Sequence, residues 1–148
     1  MISLVIRSVL VGVPFVWLGA VLAISFLEAP LKFRAPGITI PLGLGIGRIV
    51  FRALNVAELT FASFLTAAVA LNVAASPPSV QALLTAAWLV LVAQVVGLRP
   101  PLDRRAKRLQ AGEVPPRSRL HLVYIALEFV KVGVLLALGC LIVSEVSV

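Results

Sequence analysis

Four long apolar stretches, separated by polar or irregular connections, set the pattern of the chain. They cover about residues 9–27, 53–75, 80–98 and 120–143, each near the roughly 20 residues that a helix needs to cross a bilayer. Hydrophobic residues make up 61% of the chain and the mean hydropathy is +1.11, which excludes an ordinary soluble domain. The pattern predicts an all-α fold, a four-helix transmembrane bundle forming one integral membrane domain over residues 1–148.

The first stretch is predicted to remain as a membrane span. Val21, Leu22 and Ala23 resemble a signal-peptidase cleavage site, but the apolar run continues through Ile24 and Leu27. Removing this stretch would also deprive the bundle of a helix.

A polar stripe follows the opening of the last apolar stretch, residues 118–133. At 100° per residue, His121, Tyr124, Glu128 and Lys131 fall within an arc of roughly 80° on a helix. Ionisable groups at membrane depth nearly always face the protein interior or a water-filled cavity. The stripe therefore predicts a site on this face of the fourth span.

Further polar residues mark the other spans near the same side of the membrane. Glu28 closes the first span, Asn55 and Glu58 share a face of the second, and Gln94 near the end of the third could donate to a carboxylate. The predicted ligand-binding residues are Glu28, Asn55, Glu58, His121, Tyr124, Glu128 and Lys131.

Five members of this set also have a purely structural interpretation. Glu28 could pair at the interface with Lys32 or Arg34. Glu58 could make an interhelical hydrogen bond, His121 could be an interfacial residue, and Glu128 and Lys131 could neutralise each other within one helix.

The two long connections differ in character. Residues 29–55 contain Pro36, Gly37, Pro41 and three alternating glycines among apolar residues, which predicts an interfacial or shallow re-entrant segment after the first span. Residues 101–112, "PLDRRAKRLQAG", predict a short basic amphipathic helix on the membrane surface between the third and fourth spans.

The net charge of +7 is concentrated in these two connections. In an antiparallel four-span chain both lie on one side, so the positive-inside rule predicts that they are cytoplasmic and that both termini are external. Contact with membrane lipids, including anionic lipid at the cytoplasmic face, accounts for the charge without nucleic-acid binding.

The sequence identifies no cofactor, assigned metal site or catalytic residue, although the three carboxylates and one histidine on three helices could also hold a hard or borderline metal. Cys140 is the only cysteine, which excludes an intramolecular disulfide and argues against a thiolate metal site. A Glu-x-x-His motif, as in di-iron bundles, does not occur.

Three segments carry a family resemblance: "SFLEAPLKFRAPG", "GLGIGRIVFRALNVAE" and "LHLVYIALEFVK". In this order they resemble a family of uncharacterised small bacterial inner-membrane proteins with four spans, which implies a bacterial inner-membrane location. The termini that the charges predict to be external would then be periplasmic. The resemblance brings no activity. It implies that these residues belong to motif positions: Glu28, Pro30, Lys32, Arg34, Asn55, Glu58, His121, Tyr124, Glu128 and Lys131.

The first span is also remotely similar to the transmembrane protein 205-like group, which would suggest a link to metal or drug resistance. The chain departs from that group's motif around Asn55 and Glu58.

Three functions are compatible with these patterns. The favoured one is binding or transport of a small ligand or ion, by a homo-oligomer whose helices approach closely at Gly12, Gly19, Gly133 and Gly139. The second is an enzyme acting on a lipid or isoprenoid, with His121 or a carboxylate as general base and Lys131 or Tyr124 as acid or electrostatic stabiliser. The third is a structural subunit of a membrane complex.

Overall fold

The computed structural model describes residues 2–71, 76–114, 116 and 118–146, and these residues form helices and turns without any β-strand. The α-helices are α1 (Ile2–Val21), α2 (Ala29–Leu31), α3 (Ile40–Leu71), α4 (Pro78–Val92), α5 (Arg99–Gln110) and α6 (Leu120–Val146). Four helical stretches are long and apolar enough to cross a membrane: Leu4–Arg34, Ile40–Leu71, Pro78–Gln110 and Leu120–Glu145. The predicted all-α four-helix bundle is confirmed, and its architecture is that of a multi-pass membrane protein.

The four spans pack in a ring. Helix α1 lies against α3 and α6, and α4 lies against the same two helices, so α3 and α6 face each other across the bundle. We call the end at which α3 and α6 begin the basic end, because Lys32, Arg48, Arg52 and Arg99 lie there. The half of the bundle toward the opposite end has an apolar core that includes Leu10, Leu65, Ala68, Leu84, Leu135, Leu138 and Ile142.

Two spans contain a π-helical segment shortly before a proline. The segment Leu22–Glu28 joins α1 to α2, and the segment Ala93–Leu98 joins α4 to α5. The backbone N–H of Ala29 bonds to the carbonyl of Ile24, five residues back, and the N–H of Arg99 bonds to Gln94 in the same way. Because Pro30 and Pro100 come next and carry no N–H, the wider turn lets the helix continue past them.

The predicted basic helix after the third span is therefore present as α5, but it continues the third span instead of standing apart from it. Its boundaries, Arg99–Gln110, lie within two residues of the predicted ones.

The glycine-rich stretch after the first span does not form the separate interfacial or re-entrant segment that its composition predicts. Helix α3 begins at Ile40, so these glycines occupy its first turns, and only residues 35–39 leave the helical conformation. Thr39 caps the helix: its carbonyl accepts from the N–H of Gly43 at 2.9 Å and its hydroxyl from that of Leu42 at 3.4 Å.

The missing Cβ atoms of these glycines leave room beside α3 for side chains from other parts of the chain. A Cβ atom at Gly43 would collide with the ring of Phe33, and one at Gly47 would lie 2.8 Å from Lys32 Nζ. The glycines lower the intrinsic helix propensity of α3, but they allow it to pack closely against the end of the first span.

Two glycines should respond in opposite ways to replacement by alanine. Gly37 has a φ of 79°, where an L side chain is strained, so Gly37→Ala should destabilise the protein by about 1–2 kcal/mol. Gly12 lies inside α1, and among the described residues no atom, apart from the adjoining residues and the helix's own backbone, lies within 4 Å of the place that an alanine methyl group would take. Gly12→Ala should therefore stabilise the protein by up to about 1 kcal/mol. Thermal unfolding in detergent measures both; shifts of the same sign would contradict the assignment.

Candidate functional site

A buried ion pair crosses the centre of the bundle. Lys131 Nζ on α6 donates to Glu58 Oε1 on α3 at 2.5 Å and to Glu128 Oε1 at 3.4 Å. The side chains of Lys131 and Glu58 are 0% exposed and Glu128 is 1% exposed, so bulk solvent screens none of these charges. The interaction joins two helices that lie opposite each other, and it therefore fixes the interior of the bundle.

Trp17 and Gln94 bring the remaining two spans into the same network. The indole Nε1 of Trp17 donates to Glu58 Oε1 at 3.0 Å. Gln94, in the second π-helical segment, donates from Nε2 to Glu128 Oε1 at 3.0 Å and to the Tyr124 carbonyl at 3.5 Å. We refer to Trp17, Glu58, Gln94, Glu128 and Lys131 as the central cluster.

The formal charges of the central cluster do not balance. Glu58 and Glu128 share Lys131, and among the described residues neither carboxylate pairs with a second cation. With all three groups ionised the cluster carries one negative charge. An uncompensated charge at this depth is costly, so the arrangement calls for a proton or a bound cation.

Hydrogen-bonding capacity is also left over around the cluster. Six buried side-chain atoms have no hydrogen-bond partner among the described residues: Ser25 Oγ, Asn55 Oδ1, Glu58 Oε2, Gln94 Oε1, Tyr124 Oη and Glu128 Oε2. All six are oxygen atoms that can accept a hydrogen bond, and only the two hydroxyls can also donate. The surroundings of the cluster therefore favour a ligand that brings positive charge or donated protons.

A second group of side chains lies at the basic end, beyond the central cluster. Glu28 and Lys32 form an ion pair of 3.2 Å, and Lys32 Nζ lies 5.6 Å from the centroid of the Phe51 ring. The Phe51 ring packs edge-on against Tyr124 with centroids 5.8 Å apart, and the guanidinium of Arg99 lies 5.7 Å from the same ring. We call Glu28, Lys32, Phe51 and Arg99 the mouth.

Five of the seven predicted ligand-binding residues lie together. Tyr124, Glu128 and Lys131 of the stripe are buried, and Asn55 and Glu58 on α3 are buried with them. Glu28 lies apart at the mouth, paired with Lys32, which was one of the two partners that the sequence left open.

His121 does not join the cluster. Its side chain is exposed and makes no hydrogen bond or ion pair to any residue in the described part of the chain. It lies in the first turn of α6, at the edge of the stripe, where no neighbouring helix covers it.

The sequence interpretation missed Trp17 and Ser25 as members of this region. An available clue was that an indole N–H in the middle of an apolar span requires an acceptor when it is buried. Glu58 is that acceptor. The sequence gives no comparable clue for Ser25, because the direction of its side chain depends on the π-helical segment in which it lies.

No protein-family model, no curated protein and no solved structure matches the chain. Over the described residues, no three His, Cys, Asp or Glu side chains are grouped so that they could hold a metal ion.

Proposed function

We propose that this protein binds a small cation at the central cluster and transports it, or a ligand that carries it, in a bacterial inner membrane. The observation behind this proposal is that two fully buried carboxylates share a single ammonium group. A structural ion pair needs only one carboxylate for each ammonium group. The second carboxylate gives the cluster a net negative charge, which a bound cation would neutralise.

Glu128 is the proposed acceptor for the incoming cation. Its distance to Lys131 Nζ is 3.4 Å, against 2.5 Å for Glu58, so Lys131 is already closely paired with Glu58. Two unpartnered oxygens, Glu128 Oε2 and Gln94 Oε1, are available as ligands for this cation. Neutralising Glu128 leaves Glu58 and Lys131 as a balanced pair.

The proposed placement in the membrane follows from the charges. The basic end would face the cytoplasm and contact anionic lipid, and both termini would be periplasmic. A homo-oligomer could form at Gly12, Gly19 and Gly133, where no side chain from elsewhere in the described residues lies within 4 Å of a Cβ position. Gly139 is already covered by the Phe15 ring of the same chain.

Trp17 provides an internal reporter for this proposal, because it donates to Glu58 inside the cluster. In a Trp88→Phe background it is the only tryptophan. We expect its fluorescence in detergent micelles to change on titration with protons or with a member of a panel of sodium, potassium, ammonium and methylammonium chloride. Glu128→Gln should weaken the response at least about tenfold, or abolish it, because it removes the charge deficit.

The matched control is Glu145→Gln, the same substitution on the same helix but at an exposed position near the opposite end. It should leave the titration unchanged. If neither protons nor any of the four cations alter the fluorescence of the parent protein, the cluster is a structural ion pair and the proposal fails.

A further inference from the structure

The six unpartnered oxygens belong to residues that extend along the bundle from the Glu58–Lys131 pair toward the basic end: Ser25, Asn55, Glu58, Gln94, Tyr124 and Glu128. We call this set of residues the column. On α6, Tyr124 and Glu128 precede Lys131 by about two turns and one turn, and on α3, Asn55 precedes Glu58 by about one turn. The edge-on contact of Phe51 with Tyr124 shows that the two helices keep the same depth along this stretch. The column therefore runs about 10 Å along the bundle, at about 1.5 Å per residue.

The first and third spans line the same column through their π-helical segments. Ser25 lies between Trp17, which contacts Glu58, and Glu28 at the mouth. Gln94 bonds to both Glu128 and the Tyr124 carbonyl, so its free oxygen lies at the depth of these two residues. Every span thus contributes an unpartnered oxygen to the column.

The two ends of the column are different. Toward the basic end it reaches the mouth, where Lys32 is 10% exposed and Glu28 is 30% exposed. Past Lys131 the interior is closed by Leu65, Leu135 and Leu138, each at most 1% exposed. A group that reaches the cluster through the column must therefore come from the basic end.

We propose that this column, together with ordered water, conducts protons between the basic end and the central cluster, and that Glu128 is the group that takes up the proton. The inference rests on the proposed function and narrows its cation to a proton. Hydroxyl groups such as Ser25 and Tyr124 both donate and accept, and the amide and carboxylate oxygens accept from the water between them.

The proton balance is simple. A water molecule in the column passes one proton to Glu128 and is replenished from the mouth, so the cluster changes from one negative charge to neutral. Lys131 keeps its proton and stays paired with Glu58. The other charged or titratable groups that face the route are Glu28 and Lys32 on the first span, Arg99 on the third, and Tyr124 on α6.

The test uses the full chain with Trp88→Phe, reconstituted in phospholipid vesicles whose protein orientation is scored by trypsin access to α5. After a rapid pH jump on one side, Trp17 fluorescence should respond when the jump is made at the basic end, and at least about tenfold more slowly when it is made at the opposite end. Asn55→Leu, which removes the amide and keeps the number and branching of the side-chain heavy atoms, should slow the response several-fold without changing its final amplitude.

A second column variant and a control make this interpretation specific. Tyr124→Phe removes only the hydroxyl and should slow the response in the same way, even if Asn55→Leu proves unstable. Gln81→Leu removes an exposed amide near the opposite end and should leave the rate unaltered.

Equal rates from the two sides, or unaltered rates in Asn55→Leu and Tyr124→Phe, would overturn the column. A fluorescence change with a metal or ammonium cation but none with pH would also overturn it, while leaving the proposed cation site intact. Failure of both pH and cations to alter the fluorescence would overturn both proposals.

Discussion

Replacing Lys131 with methionine should destabilise the folded protein by about 3–5 kcal/mol, one of the two largest effects expected for a single substitution in the chain. Lys131 is 0% exposed and is the shared partner of Glu58 and Glu128. Methionine is close in length to the lysine stem, so packing changes little. The cost arises because two carboxylates then remain in the interior without a cation.

The same reasoning predicts that the loss can be reversed without restoring the lysine. The triple variant Lys131→Met, Glu58→Gln, Glu128→Gln has no buried charge and should recover most of the stability of the parent protein. Unfolding in mixed micelles, followed by circular dichroism, measures the parent, the single variant and the triple variant. If Lys131→Met alone costs less than about 1 kcal/mol, the carboxylates do not depend on this lysine.

The spans and the polar face of α6 could be predicted from the sequence because each depends on a local pattern: the length of an apolar run for the spans, and the helical periodicity for the polar face. An apolar run of about 20 residues specifies a span regardless of its neighbours. The angular spacing of Tyr124, Glu128 and Lys131 specifies a common face, and the cost of burying charge turns that face inward.

Other features depend on contacts between segments that are distant in the sequence, and local sequence patterns do not reveal such contacts. His121 belongs to the same arc, but it lies exposed in the first turn of α6, so angle alone could not decide its burial. The glycines of α3 have low helix propensity, yet they are helical and leave room for Phe33 and Lys32 beside them.

The second large effect concerns Trp17, which fills the core and also donates a hydrogen bond. Trp17→Ala should cost about 3–5 kcal/mol, since the indole is 0% exposed and packs near Phe61 with ring centroids 6.5 Å apart. Trp17→Phe keeps an aromatic ring and removes the N–H donor to Glu58, so it should cost less, about 1.5–3 kcal/mol, the range for bonds to charged groups.

Trp88 is the matched control, because its indole also donates to a side chain, Thr66 Oγ1 at 2.9 Å, but at an exposed site. Trp88→Phe should cost no more than about 1 kcal/mol. The three losses in unfolding free energy should therefore fall in the order Trp17→Ala, Trp17→Phe, Trp88→Phe. If Trp17→Phe costs as little as the control, Lys131 alone satisfies the Glu58 oxygen and the indole serves only for packing. If it costs as much as Trp17→Ala, the hydrogen bond to the buried carboxylate, and not the filled volume, is what makes this position sensitive.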